Sequence, residues 1–401
     1  MSWEIKTLGE IGKIYNGNSI SAKIKKEKYS NLKEGVPFIA TKDIDLQSHL
    51  IDYNNGILIP LNEPKFKIAK SDSILICAEG GSAGKKIAFL EKDVYFGNKL
   101  LALEPFKNIN PKYVFYWYLT NDFSKNFSSK VTGLIGGISI SNFKKLPIPL
   151  PPLDEQKRIV TQLDEAFEKI EKAKEDAQKN LENAKEIFQS ELNALFENPK
   201  KHWEEKELGE ICEKITDGSH NPPRGIEYSE FLMLSSRNIF NDLITFQNPR
   251  YLKEEDFIKE NKRTQLKSGD ILLTIVGTIG RVAVVPEKTP KFTLQRSVGV
   301  LKPNLILIKS KYLMYSLQSK LIDLNNNSRG VAQKGLYLNQ IRNYKISFPP
   351  SLEEQQEIVE KLNALQEKTK QLEEVYEKKL SNLDELRQSI LQRAFRGGGE
   401  E

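Results

Sequence analysis

The chain has 401 residues, 39% apolar and 28% charged, with 60 Lys and Arg against 54 Asp and Glu. That length predicts two or three domains with real cores; two cysteines exclude a disulfide framework, and three scattered histidines argue against a zinc site. The longest apolar runs, such as "DILLTIVGTIG" (270–280), fall short of the ~20 residues a membrane helix needs, so no membrane span and a reducing, cytoplasmic setting are expected.

Residues 1–150 read as a strand-rich, mixed α/β head: short apolar runs and aromatics broken by Gly, Asn and Pro at roughly ten-residue intervals. Within it, "GGSAGKK" (80–86) hints at a phosphate loop. Its spacing is one residue short, and Lys86 stands where Ser or Thr would bind magnesium, so a glycine turn between strands is the better reading. The head closes on "IPLPPLDEQKRIV" (148–160). A residue before proline avoids helix, and Asp154 suits a first helical turn. From there Ile159, Leu163, Ala166, Ile170, Ala173, Ala177, Leu181, Ala184, Phe188, Leu192 and Leu195 recur at steps of three and four, which predicts a coiled-coil helix over 151–199.

Residues 200–350 then repeat the head. "WEIKTLGEIGKIYNG" (3–17) returns as "WEEKELGEICEKITDG" (203–218), "SDSILICAEGGSAGKK" (71–86) as "SGDILLTIVGTIGR" (268–281), and "ISNFKKLPIPLPP" (140–152) as "LNQIRNYKISFPP" (338–350). The shift stays near 200, so the chain is two copies of one unit. In the second copy "NPPR" (221–224) is similar to the Asn-Pro-Pro-aromatic loop of adenine methyltransferases. Arg224 replaces the aromatic and no Gly-rich cofactor loop precedes it, so a polar turn is the better reading. A second helix follows "FPPSLEEQQEIV" over 351–396, with Ile358, Leu362, Leu365, Leu372, Val375, Leu383, Leu386 and Ile390 as its expected seam. Residues 397–401, "GGGEE", read as a flexible tail and not as a natural close to such a helix.

A helix of about 40 residues is ~60 Å long, too long to hide its stripe on one head. The two helices are therefore expected to pair antiparallel as a rod with a head at each end. Charge divides along the same lines. Residues 1–150 hold 21 Lys and Arg against 14 Asp and Glu, residues 201–350 hold 23 against 16, and the two helical segments hold 16 against 24. Basic heads point to a polyanion, an acidic rod to protein partners.

Side chains able to pair with base edges recur at matching places in the two heads. In the second they are His220, Arg224, Arg237, Arg281, Gln295 with Arg296, and Arg329, Gln333 and Lys334 in "NNNSRGVAQKG". In the first they are Lys42, Lys85, Lys86, Asn98 with Lys99, and Lys130.

The two proline-led helix starts, the "W-x-x-x-x-L-G-E-I" openings at Trp3 and Trp203 and the ending "SILQRAFRG" (389–397) resemble the specificity subunits of Type I restriction–modification systems over nearly the whole chain. The resemblance implies an α+β fold: two pseudo-two-fold-related target-recognition domains separated by a long antiparallel coiled coil. It implies a non-catalytic subunit that recognises an asymmetric bipartite sequence in double-stranded DNA, one half-site per head. Partners would be two methyltransferase (modification) subunits and restriction subunits. S-adenosylmethionine, ATP and magnesium would belong to those partners, with no cofactor or metal in this subunit. Two alternatives stay open: the recognition subunit of a related system with fused methylation and cleavage, and a coiled-coil scaffold whose basic heads bind RNA or acidic protein. A free-standing methyltransferase is opposed by the missing cofactor motif.

Overall fold

The structure, a computed structural model, describes residues 3–30, 32–133, 136–240, 242–320 and 335–396. Two uninterrupted helices, Leu153–Glu197 and Leu352–Phe395, run 45 and 44 residues. Each begins with carboxylates in its first turn, Asp154 and Glu155 or Glu353 and Glu354, where they complement the positive end of the helix dipole. The chain divides into two compact units. One is Met1–Ala177 with Lys378–Glu401, the other Gln178–Glu377. Each unit holds one head, the start of one long helix and the end of the other.

In the first head four antiparallel strands lie in the order Gly12–Asn16, Leu100–Pro105, Ile74–Cys77, Ile87–Phe89. Side-chain alternation explains why this sheet is covered twice. Ile74, Ile76, Leu101 and Leu103 face a core shared with the helix Pro111–Tyr118 and the long helices. Leu75, Cys77, Leu100 and Ala102 face a second sheet through Ile39, Val94 and Phe96. That second sheet pairs Val36–Ile39 in parallel with Val94–Phe96. The second head repeats the plan with Cys212–Asp217, Val298–Pro303, Ile271–Thr274 and Val282–Val284, and with Phe231–Leu234 parallel to Lys291–Leu294.

The duplicated proline passage has a specific task. Gln156 is 1% exposed and Gln355 0%. The Gln156 amide donates to Pro151 O at 2.8 Å and its oxygen accepts from Asn110 N at 2.9 Å, at the N-cap of Pro111–Tyr118. The Gln355 amide donates to Pro349 O and Leu307 O at 2.9 and 3.0 Å, and its oxygen accepts from Lys309 N at 2.8 Å, at the N-cap of Ser310–Ser319. One buried amide thus ties the head's last strand, the head's helix and the long helix together. Glu354 adds an outer clasp: hydrogen bonds from His202, Lys200 and Trp203 hold its carboxyl down at about 2.

In the first unit Ile159, Leu163, Phe167 and Ile170 share a core with Leu383, Ile390, Leu391 and Phe395. Lys174 pairs with Asp384 at 2.7 Å, and the Arg387 guanidinium lies 4.6 Å over the Phe167 ring. In the second, Leu192 and Phe196 pack with Ile358, Val359 and Leu362. The seam expected on Leu153–Glu197 is inward throughout. On Leu352–Phe395 the expectation needs correcting, because Leu372, Val375 and Leu386 are 41%, 60% and 47% exposed. The inward face there carries the buried Thr369 and the half-buried Gln366, Tyr376 and Leu380. Counting apolar residues alone selects a neighbouring stripe, since half of the true one is polar.

Gln355→Leu leaves one buried and two part-buried backbone groups without this partner and should cost roughly 2–4 kcal/mol. Gln356→Leu, one position along and exposed, should stay within about 0.5 kcal/mol. Thermal unfolding of the two variants measures the difference; equal midpoints would remove the glutamine from its structural role.

Candidate nucleic-acid interface

Most candidate residues of each head lie on loops that leave the same ends of the two sheets; Lys130 instead sits in the turn that closes the helix Asn121–Ser128. The first loop follows the opening strand, at "NGN" (16–18) and "DGS" (217–219). Glycine is required in both. A Cβ on Gly17 would stand 2.0 Å from Phe96 O, and one on Gly218 would stand 2.2 Å from Leu294 O. A cation from elsewhere in the head anchors each loop. Lys67 Nζ donates to Asn16 O and Oδ1 at 3.1 Å, and Arg263 Nε donates to Asp217 O and Oδ1 at 2.9 and 3.1 Å.

The second loop is a 3₁₀ turn after the parallel strand, Thr41–Asp43 or Ser236–Asn238. Asp43 Oδ2 accepts from Ala40 N at 2.8 Å, and Asn238 Oδ1 accepts from Ser235 N at 3.0 Å. This closed turn pushes Lys42 and Arg237 outward, and both are exposed. The third is the glycine hairpin, where Gly80 and Gly84, or Gly277 and Gly280, sit at positive φ. It is a turn between strands, as read from the sequence. The fourth is the turn holding Asn98 and Lys99, or Arg296 and Ser297. Backbone bonds bind these loops to one another. Gly97 N donates to Ile39 O and Ala78 N to Lys99 O, both at 2.8 Å; Gln295 N donates to Leu234 O and Ile275 N to Ser297 O, both at 2.9 Å.

These bonds set the register. Gly97 matches Gln295 and Asn98 matches Arg296, one residue away from the pairing of Asn98–Lys99 with Gln295–Arg296 expected from sequence. The hairpin is shorter in the second copy and the connection after it longer, which leaves a net one-residue slip that an ungapped comparison hides.

The candidates fall into three groups. Lys42, Lys85, Asn98, Lys99, Lys130, Arg224, Arg237 and Arg296 are exposed, and Gln295 is half-buried. Lys86, Arg281 and His220 are engaged within the fold. Lys86 Nζ donates to Thr41 O at 3.0 Å. Arg281 reaches Ile239 O at 3.4 Å and lies 4.6 Å over the Phe240 ring. His220 Nε2 is 2.7 Å from the buried Asp217 carboxylate, which Arg263 also grips. Lys86 and Arg281, at equivalent places, brace the 3₁₀ turn that presents Lys42 or Arg237. Arg329, Gln333 and Lys334 lie outside the described residues.

Sequence reasoning passed over Arg250 and Arg263. Arg250 Nη1 donates to Pro223 O at 2.8 Å and so pins the "NPPR" turn. Both arginines stand well downstream of the loops they hold, and no spacing in the sequence marks them. Among the described residues no cluster of His, Cys, Asp and Glu could hold a metal, and no helix is long and apolar enough to cross a membrane.

Arg281→Ala removes a carbonyl partner and a ring contact, so it should cost about 1 kcal/mol of stability. Arg237→Ala should change unfolding by less than about 0.5 kcal/mol. Denaturant melts of both variants test this division into bracing and available cations; the reverse ranking would refute it.

The family model of the Type I restriction modification DNA specificity domain matches residues 1–181 and again 200–382. The Type I restriction enzyme EcoBI specificity subunit of Escherichia coli is 24% identical over 99% of this chain and 86% of its own length. The MjaVIII specificity subunit of Methanocaldococcus jannaschii is 26% identical over 95% and 91%. In fold, a chain from a type I R-M system matches with a TM-score of 0.78 at 20% identity, over 99% of this chain and 98% of that one. The HsdS subunit from Thermoanaerobacter tengcongensis matches at 0.63 and 20%, over 99% and 97%. With the family's domain matched twice, once on each head and the long helix after it, the chain belongs to the Type I restriction modification DNA specificity family.

Proposed function

We propose that this chain is the non-catalytic specificity subunit of a Type I restriction–modification system and recognises an asymmetric bipartite DNA sequence, one half-site per head. The observation that carries the reading is the loop cluster of each head: one backbone frame, built twice, presenting different side chains at matching points. Lys42 stands where the second head has Arg237, and Asn98 where it has Arg296. An arginine fork pairs two acceptors of guanine, an asparagine amide suits adenine, and a lysine acts as a point charge. Two frames that differ in this way read unlike sequences. The net positive charge of both heads supports contact with the phosphate backbone, which contributes affinity without selecting sequence.

The long helices take the remaining roles. Their net negative charge turns them from DNA toward protein, so they are the surface for methyltransferase and restriction subunits, which bring S-adenosylmethionine, ATP and magnesium. Within each unit the start of one long helix packs on the end of the other. An antiparallel pair of this kind would hold two heads at a set distance and give the target a fixed gap.

Exchanging residues 1–150 for the first head of another family member tests the assignment. Sequencing of methylated positions in cells expressing the hybrid with its methyltransferase should show one half-site replaced and the other retained. Replacement of both, or of neither, would refute one head per half-site.

A further inference from the structure

A short hairpin follows the Arg237 turn, and it is tied at both ends. Its strands are Ile239–Phe240 and Leu243–Ile244. Two-residue strands of this kind have no stability of their own. At the root, Asn238 Nδ2 donates to Thr245 O and Gln247 O at 3.1 Å, and Arg281 reaches Ile239 O. At the tip Asp242 occupies the left-handed region at φ 64°. Its carboxylate faces two side-chain amides. Gln366 Nε2, on the long helix Leu352–Phe395, donates to Oδ2 at 2.7 Å, and Gln318 Nε2, on Ser310–Ser319, donates to Oδ1. Burial pushes the Asp242 carboxyl up, and the Gln366 amide pulls it back. Gln366 is itself oriented, with Tyr315 Oη 3.2 Å from its oxygen and 2.8 Å from Asn363 Oδ1.

The first head has a counterpart of different chemistry. Past the Lys42 turn, Ile44 bridges to Ile51, and between them His49 stands in the left-handed region at φ 60°. Its ring meets Phe115 of the helix Pro111–Tyr118 edge-on at 6.4 Å. Burial, with Arg387 of the second long helix nearby, holds its imidazole below the ordinary value. Both hairpin tips therefore reach the packed helices beneath their head, although the contact is aromatic in one and a half-buried carboxylate in the other.

We propose that Asp242 and Gln366 form a latch that positions Arg237: by fixing the hairpin to the long helix, the pair sets where the recognition turn stands and is required for the second head to discriminate its half-site. The proposal rests on the DNA-reading function given above. Neither residue touches DNA in it; both act through the turn.

The test uses the full-length chain with its methyltransferase subunits and duplexes carrying the target, intact or mismatched in one half-site. Gln366→Glu sets a carboxylate against the Asp242 carboxylate while keeping shape and the acceptor for Tyr315. Adding Asp242→Asn reverses the polarity of the pair: the new amide donates to the new carboxylate, and asparagine tolerates the left-handed backbone. Gln366→Glu alone should lose about tenfold in preference for an intact over a mismatched second half-site, the scale of one charge-assisted hydrogen bond. Preference at the first half-site should be unchanged, and the double variant should recover the loss. Wild-type discrimination by Gln366→Glu, equal losses at both half-sites, or a folded double variant that stays defective would each overturn the latch. A wild-type protein that prefers no duplex would instead overturn the DNA-reading function beneath it.

Discussion

A buried glutamine amide at the start of each long helix is the contact on which the rest of the molecule depends. A long helix fixed to a head only by apolar packing could slide or swivel, because such packing has no direction. Gln156 and Gln355 remove that freedom. Each satisfies a proline-region carbonyl on one side and the backbone amide that opens the head's helix on the other. The prolines make the arrangement possible: they stop the last strand, hold the chain extended and bring a free carbonyl to the glutamine. Once that joint is rigid, the sheet above it, the helix beside it and the loops at the sheet ends have defined places.

The two heads show how one frame can carry two different sets of exposed side chains. Conserving the frame falls to groups that face inward: Gly17 and Gly218 against strand carbonyls, Asp43 and Asn238 closing the 3₁₀ turns, Lys86 and Arg281 bracing them. The outward positions on the same turns carry Lys42 or Arg237 and Asn98 or Arg296 without consequence for the fold. The second head also inserts the helix Glu254–Thr264, whose last turn supplies Arg263 to Asp217. The first head gives that task to Lys67 and needs no such helix.

Much of this was legible in the sequence, and what was not has physical causes. The duplication, the long helices and their starts followed from repeated strings, proline and a three-to-four period. The glycine hairpin was separable from a phosphate loop because Lys86 and the spacing are wrong for magnesium. The seam of the second helix was misread at Leu372, Val375 and Leu386 because Gln366, Thr369 and Tyr376 share the inward face, and hydrophobicity counts give polar residues no weight. Sequence does not separate the basic residues that are available from those that are not, because a Lys ammonium or an Arg guanidinium can as readily bond a backbone carbonyl of its own fold. Lys86 and Arg281 do so, and only their neighbours in space reveal it. The latch at Asp242 joins residues more than a hundred positions apart, a distance no local pattern spans.

The central claim is that two heads built on one frame read two different short sequences at a set distance. Selection of bound duplexes from a randomised pool, by the full-length chain assembled with its methyltransferase subunits, tests it most directly. The account predicts enrichment of two unlike motifs separated by a gap of constant length and indifferent sequence. A single continuous motif, two copies of the same motif, or two motifs at a variable gap would contradict it.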